Sequence, residues 1–296
     1  MISILIPTHN HDVTALVKAL RHQAHNMDIE HEIIIYDDAS TPSEFQSIYN
    51  DIDTFEHCRC IRGQENKGRT FARNLLANNA RYDTLLFLDA DVLPLKKTFL
   101  KDYLACAKKT TVVCGGVDYE EKLKDKEHVL RWAYGKKREA RSVHERNKAP
   151  YLSIISMNFL IIKSAFLNTS MPVDNQYGMD VLFSFKLNKR QVDIAHIDNP
   201  VIHLGMEKNK RFLEKTIVAM QSIALFEKEG KIPKDFRPIQ RFGNTVATLR
   251  GEAIFFGLYR LMEKMILKNL NSSHPSLRLF DIFRLYHFLK ARREHA

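Results

Sequence analysis

Short apolar runs alternate with amphipathic stretches along the first hundred residues. "ISILIP" (2–7) is rich in β-branched residues and stopped by Pro7, which predicts a buried strand. From Asp12, "DVTALVKALRHQ" sets Val13, Leu16, Val17 and Leu20 at helical spacing behind an aspartate cap. "HEIIIYDDAS" then predicts a second strand, "PSEFQSIYNDI" a helix and "CRCIR" a short strand; "GRTFARNLLANNA" reads as a helix and "DTLLFLDADV" as a strand. Strands alternating with helices imply right-handed crossovers and a mainly parallel, Rossmann-like α/β sheet covered on both faces.

Beyond Pro94 the pattern loosens. "KTFLKDYLACAKK" reads as a helix and "TTVVCGGVDY" as a strand, and residues 120–150 form a charged stretch read as a loop. "YLSIISMNFLIIK" reads as a strand pair or one bent strand, and "VDIAHIDNPVIHLG" closes with another strand. From about 207 the pattern is helical, so the expected division is a catalytic domain over 1–206 and a helical extension over 207–296.

Composition narrows the class. With 296 residues, 45% of them apolar, and only 11 glycines and 9 prolines, the chain reads as globular with a sizeable core. "MISILIPTHN" lacks the basic n-region of a secretory leader, and no uncharged apolar stretch has the length of a transmembrane helix. Cys58, Cys60, Cys106 and Cys114 lack the paired spacing of a zinc site and read as reduced thiols, so the expected location is the cytoplasm. The net charge of +10 favours phosphate-rich or anionic partners without choosing among them. For nucleic acid the basic residues are too evenly spread, and the acids at the strand ends would repel phosphate.

Charge placement says more. In open α/β sheets ligands gather at the carboxyl ends of the strands. Here polar residues close four strands in succession, as "PTHN", "DDAS", "ENKGR" and "DAD". Asp89 and Asp91, two apart, project to the same side of a strand terminus, where like charges repel unless a cation lies between them. Mg²⁺ or Mn²⁺ suits such oxygen-rich surroundings; the structural alternative is a pair of loop or helix caps. Asp37 and Asp38 have a similar alternative, an Asx-type turn with Ser40.

"ISILIPTHN", "EIIIYDDAST", "NKGRTFARN" and "LLFLDADVLP", in this order and spacing, resemble the family-2 glycosyltransferases of the A-type nucleotide-diphosphosugar fold. The resemblance covers about residues 1–205. It implies an inverting, metal-dependent transfer of sugar from a nucleotide-diphosphate donor, UDP-linked by preference. The acceptor it implies is a glycan or lipid-linked hydroxyl in bacterial surface polysaccharide synthesis. Pro7, Thr8 and Asp38 would face the base and ribose. Gly68 would let backbone approach the base, with Asn66 and Arg73 in support. Asp89 would lie near the ribose, and Asp91 would hold the metal on the diphosphate. His203 corresponds to a third metal ligand of some members.

In "NQYGMDVLFSFKL" the family has a glycine before two acids. Here Gly178 precedes Met179 and Asp180, so the first acid is missing and the general-base role falls to Asp180. Without the resemblance, Asp180 reads as an acid favoured by a helix dipole. Leaving-group charge also needs cations, and Arg131, Lys136, Lys137, Arg138 and Arg141 are candidates to fold over the donor. Rival readings are a sugar nucleotidyltransferase, disfavoured because "PTHNHDVT" has no glycine-rich loop, and an inactive binding homologue suggested by Met179.

The tail helices have three readings: a cap on the catalytic domain, a homodimer interface, or a contact with the inner face of the cell membrane. In the last, Phe280, Phe283 and Phe288 would dip into lipid while Arg278, Arg284, Lys290, Arg292 and Arg293 face headgroups.

Overall fold

A computed structural model of the chain describes residues 1–123, 125–169 and 178–295. The elements run β1 (Ile2–Thr8), α1 (Thr14–Asn26), β2 (His31–Asp37), α2 (Ser43–Asp53), β3 (Cys58–Arg62) and α3 (Gly68–Asn79). Then come β4 (Thr84–Leu88), β5 (Val92–Pro94), α4 (Phe99–Ala107), β6 (Val112–Cys114) and β7 (Val117–Asp118). The middle of the chain forms α5 (Val129–Tyr134), α6 (Val143–Asn147), β8 (Asn158–Ile162), α7 (Lys163–Asn168) and α8 (Met179–Lys189). The last elements are β9 (Ile194–His196), β10 (Val201–His203), α9 (Asn209–Lys228), α10 (Pro238–Thr248), α11 (Glu252–Leu270) and α12 (Leu277–His295).

Two compact units result. The described residues of the first are 1–120, 139–169 and 186–205; the second takes 121–123, 125–138, 178–185 and 206–295. The change of unit after 205 falls where the helical pattern begins. The two earlier segments of the second unit lie within the stretch that the sequence reading gave to the catalytic domain.

A seven-stranded sheet of order β3-β2-β1-β4-β8-β6-β9 organises the first unit. Its strands run parallel except β8, which is antiparallel to both β4 and β6. Ile4, Leu5, Ile6, Ile33, Ile34, Ile35, Leu85, Leu86 and Phe87 are fully buried, so β1, β2 and β4 are near-continuous apolar runs, as strands covered on both faces must be. A three-stranded sheet of order β5-β10-β7, with the late strand β10 between the two earlier ones, belongs to the same unit. Its antiparallel β10–β5 register sets His203 opposite Val92, the residue after Asp91.

Two stretches differ from expectation. The charged segment read as a loop is largely helical, with α5, a π turn at Gly135–Glu139 and α6. In "YLSIISMNFLIIK" only Asn158–Ile162 is strand, preceded by a 3-10 turn at Tyr151–Ser153.

In the second unit α12 is a core element. Phe280 stacks on Phe212 with ring centroids 5.3 Å apart, Tyr286 stacks on Tyr259 at 3.7 Å, and Arg292 reaches Glu227 at 2.7 Å. Phe280, Phe283 and Phe288 are all but fully buried. They are interior side chains of this unit and are not available to lipid. No helix among the described residues is long and apolar enough to cross a membrane.

Candidate active site

Beta1 lies between β2 and β4, and the carboxyl ends of these three neighbours carry Pro7 and Thr8, Asp37 and Asp38, and Asp89 and Asp91. At the β2 end the two aspartates divide their work. Asp37 accepts the backbone N–H of Ser40 at 2.9 Å and its hydroxyl at 2.5 Å, which closes the expected Asx-type turn. Asp38 accepts the N–H groups of Lys67 at 2.8 Å and Gly68 at 2.7 Å, the first exposed donors of α3. Gly68 stands at φ +84°, a left-handed conformation that glycine adopts without steric cost. Asp38 thus ties the end of β2 to the start of α3, with two of its roughly four lone-pair sites unused among the described residues.

Thr8 is buried and directs its hydroxyl to Tyr49 at 3.3 Å and the His11 carbonyl at 3.4 Å. Pro7 is half-buried opposite Tyr36 in the β1–β2 ladder, and Asn66 is exposed in the loop before α3. Ala39 holds φ +61° between Asp38 and Ser40, a conformation costly for a non-glycine residue and characteristic of functional loops.

The DxD pair is split between two kinds of partner. Asp89 is buried and accepts from Arg73 at 2.8 Å; the same guanidinium nitrogen donates to the Ser156 carbonyl at 2.6 Å. Arg69 stands 3.4 Å from the other Asp89 oxygen with its side chain 61% exposed. Asp91 faces His203, whose Nε2 lies 3.1 Å from Oδ2. Burial pushes the Asp91 carboxyl up, but the hydrogen bond and charge of His203, with the charges of Arg69 and His11, hold it below its ordinary value. The Leu204 N–H donates to the Asp91 carbonyl at 2.8 Å, and Tyr119 presents its ring edge-on to His203 at 5.6 Å. A Cβ added at Gly205 would stand 1.9 Å from Asp91 Oδ2, so only glycine leaves this carboxylate its place.

Arg69 and Gly205 escaped the sequence reading. Arg69 carried a signal: it is four residues before Arg73, so both project from one face of a helix toward the same acid. Gly205 carried none, because its partner is 114 residues away.

No group of three or more His, Cys, Asp or Glu side chains gathers for a metal among the described residues. The Asp91–His203 pair nonetheless fits two sites of an octahedral ion: adjacent ligands at bonds of about 2.1 Å stand roughly 3.0 Å apart. His203 Nδ1 is buried without a hydrogen-bond partner among the described residues.

Asp180 belongs to the second unit. It is exposed in the first turn of α8, directly after Gly178 at φ +93°, where an added Cβ would meet Ser222 at 3.3 Å. Met179, at the position of the missing acid, is buried. The charge of Asp180 acts on Arg237, whose guanidinium is depressed by burial and raised again by that carboxylate. The basic candidates of 120–150 have structural partners: Arg131 lies over the Phe212 ring at 5.4 Å, Arg138 pairs with Asp281 at 2.8 Å, and Arg141 donates to the Glu145 carbonyl at 3.2 Å. Lys136 and Lys137 lie in the π turn.

Residues 3–166 match the model of Glycosyl transferase family 2, more than half of the chain. The chain belongs to that family. As a family-2 glycosyltransferase it is a transferase enzyme. Comparison with curated proteins gives no match. Among solved structures it is similar to the mannosyltransferase PcManGT from Pyrobaculum calidifontis, in complex with GDP-Man and Mn²⁺. That likeness has a TM-score of 0.64 and 14% identity over 99% of this chain and 86% of the other. It is similar also to residues 1–349 of TarS from S. aureus, with a TM-score of 0.54 and 16% identity over 99% of this chain and 88% of that one. At these identities the likeness establishes the A-type glycosyltransferase fold.

Proposed function

We propose that this family-2 glycosyltransferase moves a sugar, with inversion, from a nucleotide-diphosphate donor to a hydroxyl of a glycan or lipid-linked acceptor in bacterial surface polysaccharide synthesis. The observation that carries the reading is the placement of Asp38 beyond the carboxyl end of β2 and of Asp89 and Asp91 beyond that of β4, the two strands that flank β1, at the sheet edge where such folds bind nucleotides. Asp38 has lone pairs left for a uracil N–H or a ribose hydroxyl, which favours UDP. Guanine also offers N–H donors, and the solved mannosyltransferase holds GDP-Man, so GDP-sugars are the competing donor class.

Asp91 and His203 would hold the metal. A carboxylate oxygen beside an imidazole nitrogen suits Mn²⁺ better than Mg²⁺. When bound, the ion would supply positive charge to the leaving diphosphate. Arg69, exposed beside Asp89, adds a guanidinium suited to phosphate. Asp180 takes the proton from the acceptor hydroxyl as its oxygen bonds to the anomeric carbon. The bond from that carbon to the β-phosphate oxygen breaks on the opposite face, and the nucleoside diphosphate leaves with its electrons.

Binding and slow hydrolysis of UDP-, GDP-, CMP- and dTDP-sugars, with and without Mn²⁺, test this reading. One nucleotide class should bind in a metal-dependent manner. Asp91→Asn should abolish that dependence, while Asp180→Asn should keep binding and lose turnover by about a hundredfold or more. A folded protein that binds no sugar nucleotide with or without metal would sink the proposal.

A further inference from the structure

Helix α11 buries one face on its own unit and leaves the other uncovered. Phe256, Tyr259, Ile266 and Leu270 point inward. On the opposite side Ile254, Leu258, Leu261 and Met265 recur at steps of four, three and four residues, with Met262 beside them, so the five form one continuous stripe. Ile254 is 69% exposed and Leu261 83%. Leu249, in the turn leading to the helix, is also exposed. Isolated exposed apolar residues need no explanation, but an ordered row of five along one helix does.

The charges beside the stripe indicate what covers it. Arg250, Arg260, Lys264 and Lys268 are exposed. None of the four is ion-paired to a carboxylate among the described residues. The two acids of α11 lie elsewhere: Glu252 is half-buried and accepts from Arg293 at 3.0 Å, and Glu263 is half-buried near Tyr259. The uncovered half of the helix is therefore apolar and cationic, without an exposed carboxylate. A second copy of the chain would bring like charges together across such a face, whereas an anionic bilayer complements both parts of it. With no helix able to span, the geometry is that of a helix lying in the headgroup plane.

We propose that α11 is an interfacial helix that docks this enzyme on an anionic lipid surface, with Leu258 and Leu261 in the acyl boundary and Lys264 and Lys268 on phosphate headgroups. This places the contact one helix earlier than the aromatic α12, whose side chains are used inside the unit. Docking needs no donor, acceptor or turnover, so it stands or falls separately from the transferase proposal.

Flotation of the full chain with vesicles is the test, using phosphatidylcholine alone or mixed with phosphatidylglycerol, at low and high salt. Wild type should float with the anionic vesicles, and salt should weaken the binding. Each basic residue near an anionic leaflet strengthens binding about fivefold, so Lys264→Glu with Lys268→Glu should cost about twenty-five-fold or more. Leu258→Glu with Leu261→Glu should abolish flotation at either salt concentration. Arg278→Glu with Lys290→Glu on α12 should leave it unchanged. All these positions are exposed, and an unchanged circular dichroism melt identifies the variants as folded. Absence of flotation by wild type would overturn the assignment. So would equal flotation of the α11 variants, or a stable dimer in gel filtration that Leu258→Glu with Leu261→Glu dissociates while lipid binding is absent.

Discussion

Glycine 205 sets the position of Asp91 more strictly than any polar partner does. Hydrogen bonds can lengthen, but a methyl group 1.9 Å from a carboxylate oxygen cannot be accommodated without moving one of them. Gly205→Ala should therefore displace Asp91 and weaken Mn²⁺-dependent donor binding about 10- to 100-fold, the range seen when metal ligands lose their orientation. Its thermal midpoint should change little, because Gly205 lies at the edge of the site; isothermal titration with donor and Mn²⁺ reads the effect. Equal donor affinity in wild type and variant would show that Asp91 does not act from this position. Arg69 and Arg73 illustrate a second point at this scale. Both contact Asp89, yet Arg73 is largely buried and donates also to the Ser156 carbonyl, whereas Arg69 is mostly in solvent. The first positions the acid, and the second has its charge where an incoming anion can meet it.

Among the elements, β6 and β9 are held at their ends by Arg146. Its guanidinium donates to the carbonyls of Cys114, Gly115, Ile197 and Arg141 and to His196 Nδ1, at 2.9–3.3 Å. No carboxylate is among these partners, so the residue acts as a multiple donor to backbone that has run out of strand. Arg146→Met should destabilise the protein by about 3 kcal/mol or more through orphaned carbonyls. Arg146→Lys should recover little, since an ammonium cannot reproduce the planar fork; urea denaturation midpoints measure both. Nothing in the sequence distinguished this arginine from its neighbours in a charged stretch. By contrast β1, β2 and β4 were legible, because strands covered on both faces must be apolar throughout. The direction of β8 was not, since "NFLII" reads alike either way and only its pairing with β4 and β6 fixes it. Helices α11 and α12 are both amphipathic and aromatic. Which would be buried depended on the partners that α12 finds in α9 and α10, and no local pattern encodes that choice. The DxD, the "DD" pair and Gly68 stand out in the sequence at strand ends, and His203 only through the family resemblance; its place beside Asp91 comes from the β10–β5 register.

For the molecule as a whole, acid should act through a buried histidine. His196 accepts from Arg146 at Nδ1 and donates from Nε2 to the Pro150 carbonyl at 2.9 Å, an arrangement that only the neutral ring satisfies. Burial above all, together with the nearby charges of Arg146 and Arg141, lowers its pKa to about 4, although the bond to Pro150 opposes this. Between about pH 6.5 and 4 the unfolded chain binds a proton that the folded one refuses. Stability is thus fully present above this window and declines as pH falls through it, by ~2–3 kcal/mol at its lower end. His287, also lowered to about 4 by burial, adds a second contribution of the same sign. Replacing His196 by Gln should reduce the acid slope of unfolding free energy by about one proton; an unchanged slope would remove His196 from the account.

The reversed strand has one more effect. A strand that runs against its neighbours starts where they stop, so the residues just before β8 arrive at the rim that carries the acids. There Met157 accepts the Asp89 N–H at 3.1 Å and Ser156 accepts from Arg73. Only the short link between the 3-10 turn at Tyr151–Ser153 and these two contacts can change length without disturbing Arg146 or the Pro150 carbonyl that holds His196. An insertion in that link would alter the rim beside Asp89 and leave the paired strands in register.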